Sequence, residues 1–443
     1  MWGRDPLIVS GSSGDFGGGL FSLLSGDVER IDSLTTMGIN ADANRFLRLL
    51  KSPDSVDSVT ELLVYDERGI QRYYRLDGLG DPHDVMFDGD CFVIVSSIQN
   101  RVVWLSQAGD ILSEWRAPGE ADSWHINCLC RKDGALYLSV FGKFATHRGW
   151  NEDRNAGTGF LINLSGGEVI SGFSQPHSPR FFDAHWVICN SAKYEVLQVD
   201  PVDGHVTRRC QLNGYTRGVA VFDDVFLVGE SATRNDPLRG DASIAVINRA
   251  TWQVEMRIPI ATREIYDIVP VTSSLLKGIS AGFRTNRSRV REQDQYRMFA
   301  EVGVRPARLW AIGLPLASKE CTISISAIVP NCMDPSEIVE VLCMIENLGG
   351  AILITAPPNP VEICYRWFTA QNMEPVGAGQ WVHTPLPKPL LPRDPLACKA
   401  LVVAPDEPGE YVLRITLLQE NVAWFDDITI TNASVHDVHV AAL

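Results

Sequence analysis

A pattern of short strand-like segments recurs about every 40 to 50 residues through the first two thirds of the chain. Its copies begin at similar places, which are marked by His83, His125, His177, Arg217 and Tyr266. Each copy alternates short apolar runs with turns rich in Asp, Asn or Gly, as in DPHDVMFDGDCFVIVSSIQNRVVWLSQAGDIL. Such runs indicate four consecutive strands. Four-stranded repeats of this length are typical of β-propeller blades.

The copies predict an all-β fold in which residues 1–285 form a six-bladed β-propeller, with seven blades as the alternative. No long stretch of this region shows the periodicity of a helix. The last copy stops near Phe283 and is too short for a whole blade, while residues 7–10 and 20–24 have no blade start before them. We therefore predict that the two ends of the region share a closing blade. An insertion at residues 143–157 is predicted to form a loop over one face.

The rest of the chain predicts a linker and a second domain. Residues 286–305 are polar and charged with few apolar residues, and residues 306–317 contain Pro306 and Pro315. Together, residues 286–317 indicate a linker that is partly helical. Residues 318–443 return to short segments of alternating polarity, a pattern that predicts an immunoglobulin-like β-sandwich. The segment at residues 424–430 is predicted to be its final strand.

Composition excludes several classes of protein. The chain has 39 Lys and Arg against 54 Asp and Glu, and this net charge of −15 disfavours binding to nucleic acid or to an anionic membrane. No apolar run reaches the roughly 18 residues that a membrane span needs, and the start of the chain does not resemble a secretory signal. Ten cysteines without a CxxC pair are too few for a disulfide scaffold. We expect a cytoplasmic protein with no nucleic-acid or membrane partner.

Polar residues recur where each innermost strand is predicted to begin. The innermost strands of a propeller line its central channel, so these positions should converge at one mouth. The predicted catalytic residues are His83, His125, His177, Arg180, Arg217 and Glu230. The predicted substrate-binding residues are Asn127, Trp124, Tyr215, Glu264, Tyr266 and Asp267.

Three histidines at equivalent positions allow three interpretations. Neutral imidazole is a common metal ligand, so His83, His125 and His177 form a tentative site for one divalent ion, Zn, Fe, Mn or Ca. In a site without metal, one histidine would act as a general base while Arg180 and Arg217 hold an anionic group. In a structural role, the histidines would join neighbouring blades by hydrogen bonds.

The expected function is that of an enzyme, a hydrolase, lyase or isomerase, acting on a small polar or sugar-like anionic substrate. Aromatic residues near the strand starts, Trp124, Trp150 and Tyr215, suit the flat faces of sugar rings. The Gly-rich segment SGSSGDFGGGLF lacks the Lys-Ser or Lys-Thr of a phosphate-binding loop, so no nucleotide cofactor is expected. The alternative is a non-catalytic scaffold that binds a glycan or a protein.

Several short segments resemble known families. WHINCL, QPHSPR, GYTRGVAV and GESATR are similar to markers of an uncharacterised bacterial β-propeller family, over roughly residues 1–285. This resemblance implies the fold and no reaction. YRW, TPLP, PGEY and VAWF are similar to a β-sandwich appended to bacterial polysaccharide-modifying enzymes, which implies a glycan setting. We also expect this second domain to support homo-oligomerisation.

Overall fold

Short β-strands joined by turns make up most of the computed structural model. Contacts divide the chain into two units, Met1–Gly282 and Phe283–Leu443. Both units are built from strands, which confirms the all-β class. Most of the predicted linker, residues 286–317, lies outside the described residues. The structure describes residues 5–12, 18–32, 34–51, 59–232, 240–289, 313–356, 359–377 and 382–442.

The strands of the first unit are mostly five to seven residues long. In chain order they are β1 (Leu7–Gly11), β2 (Gly19–Leu24), β3 (Asp27–Asp32), β4 (Thr36–Ala41), β5 (Phe46–Lys51), β6 (Val59–Asp66), β7 (Gly69–Asp77), β8 (Pro82–Asp88), β9 (Cys91–Ser96), β10 (Arg101–Leu105), β11 (Ile111–Arg116), β12 (Ile126–Lys132), β13 (Ala135–Val140), β14 (Gly159–Asn163), β15 (Gly167–Phe173), β16 (Pro176–Phe182), β17 (His185–Asn190), β18 (Glu195–Val199), β19 (Val206–Gln211), β20 (Tyr215–Val221), β21 (Val225–Ser231), β22 (Ala242–Asn248), β23 (Val254–Ile260) and β24 (Ile265–Pro270).

Within the described residues, these strands form six four-stranded antiparallel sheets. Five sheets use consecutive strands, β4–β7, β8–β11, β12–β15, β16–β19 and β20–β23, and the sixth has the order β24-β1-β2-β3. The first strands β4, β8, β12, β16, β20 and β24 each contact the next one, so they form a closed ring. Because β24 pairs with β1, the two ends of the unit share one sheet, as the incomplete last repeat predicted. This arrangement is compatible with a β-propeller.

Burial follows the position of a strand within its sheet. Nearly all of β9 is buried, whereas β11 at the outer edge is mostly exposed. The apolar side chains of β9 pack against the neighbouring sheet, where Val93 and Val95 join one core with Ile126 and Leu138. Strands near the ring are covered by sheets on either side, and this explains their continuous apolar runs in the sequence.

Each inner strand contains a β-bulge near its start. The register shifts between Thr36 and Ile39 in β4 and between Pro82 and Asp84 in β8, and the other four inner strands shift at the equivalent place. A bulge bends the strand and redirects the side chains beside it. Polar residues just before and just after the bulge can therefore face different parts of the channel.

One helix follows the last inner strand. Helix α1 (Ser273–Arg289) begins within the region for which the sequence predicted no helix, so that prediction was wrong. Thr272 Oγ1 accepts a hydrogen bond from the backbone N–H of Leu275 at 3.2 Å, which satisfies one of the first helical donors. Leu275 and Ile279, one turn apart, are buried. No helix among the described residues is both long enough and apolar enough to cross a membrane.

The second unit contains two sheets that share one apolar core. The strands are β25 (Ile323–Ile328), β26 (Cys332–Met333), β27 (Ile338–Asn347), β28 (Val361–Thr369), β29 (Pro375–Val376), β30 (Thr384–Pro385), β31 (Pro395–Val403), β32 (Gly409–Gln419), β33 (Ala423–Trp424) and β34 (Ser434–Val440). The described residues form a sheet β25-β27-β31 and a larger sheet whose main path is β26-β34-β32-β28-β29. Val341 and Ile345 of the first sheet pack with Ile363 and Leu413 of the second.

The predicted final strand at residues 424–430 is wrong. Only Trp424 of this segment lies in a strand, β33, and it is followed by the short helix α2 (Phe425–Ile428). The helix starts with Asp426 and Asp427, and acidic residues are favourable in a first turn. Arg366 Nη2 contacts Asp427 Oδ1 at 2.7 Å and also pairs with Asp426, which holds the turn against β28. The last strand is β34.

The close approach of β4 and β8 leads to a testable prediction. A Cβ atom on Gly38 would lie 2.6 Å from Asp84 Cα and 2.9 Å from the His83 carbonyl oxygen. We expect Gly38→Ala to lower the free energy of unfolding by about 1–3 kcal/mol, because backbone atoms must move to admit the methyl group. Urea unfolding followed by tryptophan fluorescence measures the change. Gly240→Ala is the matched control, since nothing lies within 4 Å of its Cβ position. Equal midpoints for the two variants would contradict the prediction.

Candidate functional site

A cavity of about 310 Å³ lies where the inner strands begin. Every inner strand contributes a lining residue from its start or from the one or two positions before it, namely Met37, His83, His125, Gln175, Arg217 and Tyr266. The insertion at residues 143–157 also reaches this cavity, through Arg148, Trp150, Asn151 and Arg154. The repeats therefore bring one position from each sheet to a common site, and all of these residues except Met37 are polar or charged.

Half of the residues predicted for the site line this cavity. They are His83, His125, Tyr215, Arg217, Glu264 and Tyr266. His177 lies next to the cavity, with its ring 5.1 Å from that of Phe141 and 5.6 Å from that of Tyr215. Phe141 also packs against His125, with ring centroids 4.2 Å apart, so its side chain contacts both histidines.

Arg180 and Asp267 lie apart from the histidines, although the sequence grouped them at one site. They line a second cavity of about 350 Å³ together with Asp84. Arg180 Nη2 lies 3.0 and 3.2 Å from the two carboxylate oxygens of Asp267, and Arg180 Nε donates to the Val219 carbonyl at 3.0 Å. These contacts join β16 to β20 and β24. Arg180 follows the bulge of β16 and Asp267 lies in the bulge of β24, whereas His177 and Tyr266 precede them in the chain.

Two other predicted residues also serve the fold. Trp124 is 9% exposed and packs in the core between two sheets, with its ring 5.9 Å from that of Phe160. Asn127 is fully buried and donates from Nδ2 to the His125 carbonyl at 3.1 Å. Neither side chain lines the cavity, although Asn127 helps to hold the backbone of a residue that does.

Glu230 lies away from the cavity because its carboxylate is fully engaged. It accepts hydrogen bonds from Arg257 Nε, from the Ser243 hydroxyl and from the Asn213 backbone N–H, each at 2.8 Å. Burial acts to raise the pKa of Glu230, but these bonds outweigh it and the pKa is lowered. The Glu230 side chain therefore bonds to these partners and is not among the residues that line the cavity.

The donor atoms of the three histidines are not gathered as a metal site would require. In the described part of the chain, one group of three His, Cys, Asp or Glu side chains has all its donor atoms within 4.8 Å of one another, and it is Asp200, Asp203 and His205. Asp203 and His205 are exposed, and acidic groups at a turn are common without an ion. The geometry thus does not support the tentative trihistidine metal site.

A buried His–Asp pair stands at the cavity wall. His125 Nδ1 lies 2.7 Å from Asp122 Oδ1, while Arg148 Nε donates to Asp122 Oδ2 at 2.7 Å. Burial acts to raise the pKa of Asp122, but the contacts with His125 and Arg148 outweigh it and the pKa is lowered. An ionised carboxylate can only accept hydrogen bonds, so Nδ1 of His125 carries the proton. The other ring nitrogen, Nε2, is then available to a ligand.

The sequence analysis missed Asp122. The one signal available was its place three residues before a histidine at a strand start, in the turn ADSWH. The predicted loop at residues 143–157 completes the contact, because Arg148 reaches Asp122 and Trp150 Nε1 donates to the Asp122 carbonyl at 2.8 Å.

Strained backbone clusters around the same cavity. Five lining residues other than glycine have a positive φ: Asp81 at 42°, Asp122 at 54°, His125 at 47°, Arg148 at 53° and Gln175 at 52°. Such conformations cost about 1–3 kcal/mol each and tend to persist at functional sites. Their concentration here favours a binding or catalytic role over a purely structural one.

Arg217 is a buried cation without an ion-pair partner among the described residues. It is 7% exposed, and its guanidinium carbon lies 4.6 Å from the ring centroid of Tyr266 and 5.4 Å from that of Tyr215. Nε and Nη1 of Arg217 and the hydroxyl of Tyr266 have no hydrogen-bond partner within the described part of the chain. These donors therefore have unused capacity in a cavity large enough for a small molecule.

The neighbouring histidines are neutral at physiological pH. Burial is the main cause that lowers the pKa of His83 to about 3, and the charges of His125 and Arg217 act in the same direction. Burial and the charge of Arg217 also lower the pKa of His177 well below its ordinary value. The buried Arg217 thus lies beside the uncharged rings of His83 and His177.

The low pKa of His83 predicts a pH-dependent stability. The unfolded state binds a proton near pH 6.5 and the folded state does not until about pH 3, so this contribution to stability is present above pH 6.5 and is lost as the pH falls. From pH 7 to pH 5, the wild type should lose about 2 kcal/mol more unfolding free energy than His83→Gln. Urea titrations at the two pH values measure this difference. His185→Gln, at a surface histidine, should behave like the wild type, and parallel losses in all three proteins would contradict the assignment.

Several solved structures are remotely similar to the chain. A protein of unknown function from Bacteroides caccae is 12% identical, covers 60% of this chain and 99% of its own, and has a TM-score of 0.43. The calcium-binding protein regucalcin from Agrobacterium tumefaciens is 11% identical, with 51% and 74% coverage and a TM-score of 0.36. A CARDB domain from Pyrococcus furiosus is 15% identical, with 27% and 94% coverage and a TM-score of 0.18. At such scores, these similarities carry no argument about function.

Sequence comparison assigns a family and no reaction. No curated protein sequence matches the chain. A family model described as a domain of unknown function, DUF4915, matches residues 39–274, which is more than half of the chain and lies within the first unit. This match confirms for residues 39–274 the prediction that the chain resembles a family without an assigned reaction. The chain belongs to the DUF4915 family.

Proposed function

We propose that this protein is an enzyme that binds a small anionic substrate in the His83–Arg217 cavity and transforms it by acid–base catalysis on His125. We further propose that the first unit is a six-bladed β-propeller and that the second is an immunoglobulin-like sandwich. The observation that carries the functional proposal is the buried Arg217 guanidinium with unused donors, in the same cavity as the His125–Asp122 pair.

The anionic character of the substrate follows from the cost of burying a charge. A buried cation is strongly destabilising unless an anion or hydrogen-bond acceptors compensate it. No described carboxylate lies within 4.0 Å of Arg217, and the rings of Tyr215 and Tyr266 compensate it only in part. Arg180 provides the contrast, because Asp267 and two carbonyl groups satisfy it. A bound anion would supply what Arg217 lacks.

The chemistry follows from the His125–Asp122 pair. A histidine whose Nδ1–H is held by a carboxylate presents Nε2 as a general base, and the protonated ring is then a general acid. Asp122 orients the ring and stabilises its protonated form, while Arg148 holds Asp122 from the other side. Hydrolysis, elimination and isomerisation each require such a proton transfer, so the pair is compatible with all three reaction types.

The insertion loop supplies an apolar wall beside the reacting group. The ring of Trp150 lies 4.4 Å from that of His125 and 5.2 Å from that of Phe141. Aromatic faces pack well against the carbon skeleton of a compact polar molecule and keep water from the ring. The cavity therefore offers an anion site, a proton-transfer group and an apolar wall within one small volume.

The first prediction from this proposal concerns His125. Full-length protein is incubated with a mixture of sugar acids, lactones and phosphoesters, and consumption is followed by mass spectrometry. We expect at least one compound to be consumed by the wild type and by His185→Gln. We expect His125→Gln to be at least about 100-fold slower because the general base is lost. Equal turnover by His125→Gln would overturn the catalytic role, and binding without turnover would favour the scaffold alternative.

The second prediction concerns Arg217. Replacing it by Met keeps the length of the side chain and removes its charge. We expect Arg217→Met to weaken binding of the consumed compound by at least about tenfold, since a charged hydrogen-bonding partner is lost. Quenching of tryptophan fluorescence measures binding. Arg72→Met, at an exposed arginine whose Nη1 donates to the Gln71 carbonyl, is the matched control. Unchanged affinity in Arg217→Met would contradict an anion site at this residue.

A further inference from the structure

The tautomers of the histidines restrict the chemistry of the ligand. His83 Nδ1 lies 3.3 Å from the backbone carbonyl of Asp81, which can only accept a hydrogen bond. Nδ1 therefore carries the proton, and Nε2 of this neutral ring is an acceptor. His125 has the same tautomer, because its Nδ1–H donates a hydrogen bond to Asp122. Neither Nε2 atom has a hydrogen bond to a described residue, and both rings line the cavity.

His177 follows the same rule beside the cavity. Its Nδ1 lies 2.8 Å from the hydroxyl oxygen of Ser191, and that hydroxyl donates its own hydrogen to the Thr216 carbonyl at 2.6 Å. Nδ1 must therefore be the donor toward Ser191, which leaves Nε2 as a buried acceptor without a described partner. Three sheets thus present the same nitrogen in the same state.

The cavity therefore requires a ligand that has both hydrogen-bond acceptors and hydrogen-bond donors. Arg217 and the Tyr266 hydroxyl provide hydrogen-bond donors without acceptors, so the part of the ligand beside them must accept hydrogen bonds. The Nε2 atoms of His83 and His125 are hydrogen-bond acceptors, so the adjoining part of the ligand must donate hydrogen bonds. A ligand with only acceptors, such as an inorganic anion or a plain fatty acid, would leave the histidine acceptors unused.

Hydroxyl groups fit these acceptors better than an ammonium group. The charge of Arg217 already disfavours a proton on His83 and on His177, and a second positive group beside these rings would meet the same repulsion. Neutral nitrogen acceptors also offer no charge to balance an ammonium group, and the lining carboxylate of Asp122, which lies next to His125, is already paired with Arg148. A hydroxyl donates without charge, so it satisfies Nε2 at no electrostatic cost.

A carboxylate fits the donor side better than a phosphate group. A phosphate group carries a charge of about −1.5 to −2 near neutral pH. Asp81, Asp122 and Glu264 line the same cavity and would repel a dianion. Arg217 is the buried arginine of the described lining. Of the other two lining arginines, Arg148 already contacts Asp122, and Arg154 is exposed and donates to Asn151. The one buried guanidinium beside one neutral phenol matches the single charge and two oxygens of a carboxylate.

We infer that the ligand is a hydroxylated carboxylate of about the size of one monosaccharide, that is, a sugar acid. Its carboxylate binds Arg217 and Tyr266, and its hydroxyl groups donate to Nε2 of His83 and His125. The volume of about 310 Å³ lies at the lower end of small-molecule pockets and suits one sugar unit. This inference rests on the proposed function and narrows its substrate to one chemical class.

The test compares five probes by isothermal titration calorimetry on the full-length protein. D-gluconate and D-galacturonate carry both kinds of group, hexanoate lacks hydroxyls, D-glucose lacks the carboxylate, and inorganic phosphate is the small dianion. We expect at least one of the two sugar acids to bind about tenfold or more tightly than any of the other three. His83→Phe should remove most of this advantage over hexanoate, and Arg217→Met should reduce sugar-acid affinity to that of glucose. His185→Gln should change neither.

The possible results distinguish failure of the sugar-acid inference from failure of the proposed function. Equal binding of hexanoate and the sugar acids, or tightest binding of phosphate, overturns the sugar-acid inference and leaves an anion-binding site standing. Loss of phosphate binding in Arg217→Met would then still support that site. If no anion binds and no anionic compound is consumed, both the inference and the proposed function are overturned. Unchanged selectivity in His83→Phe overturns the assignment of hydroxyl groups to this histidine.

Discussion

Closure of the ring of inner strands is the constraint on which the rest of the structure depends. The pairing of β24 with β1 places the last inner strand between β20 and β4, so that all six strands begin around one axis. A closed ring has no open edge among its inner strands, and sheets packed side by side bury both faces of the strands next to them. Any polar residue near a strand start therefore lies in a buried space. There it either forms hydrogen bonds or ion pairs with other residues or remains available to a ligand.

The two ends of this channel meet that requirement in different ways. At one end, the Arg180–Asp267 pair satisfies its own charges, and Asp84 Oδ2 accepts from the Leu129 backbone N–H at 2.7 Å, so the polar groups join neighbouring strands. Burial and the nearby Asp267 raise the pKa of Asp84, which shows how costly another negative charge would be there. At the other end, Arg217 lies beside neutral histidines with donors unused. The same repeat thus produces a structural polar cluster and a site with spare hydrogen-bonding capacity.

The positions of the site residues could be predicted better than their roles. The spacing of the repeats identified His83, His125, Arg217 and Tyr266, because equivalent positions of a repeated sheet occupy equivalent places. It grouped Arg180 with them, since a one-dimensional pattern does not show on which side of a bulge a side chain emerges. Asp122 was missed because it precedes the strand in a turn, and its role depends on a contact with an insertion more than 20 residues later.

The sequence by itself determined the all-β class, the repeated sheets and the sharing of the closing sheet by the two ends of the first unit. These features follow from the local alternation of apolar and polar residues and from the regular spacing of the repeats, both of which are visible in the sequence. Only the tertiary structure decided which polar residues are satisfied and which are available. That distinction depends on distances between residues far apart in sequence, such as Arg180 and Asp267, and on tautomers set by neighbours such as Asp122 and Ser191. Burial then fixes the charge of each group, because the energy of a charge depends on the whole surrounding volume and not on the residues next to it in the chain.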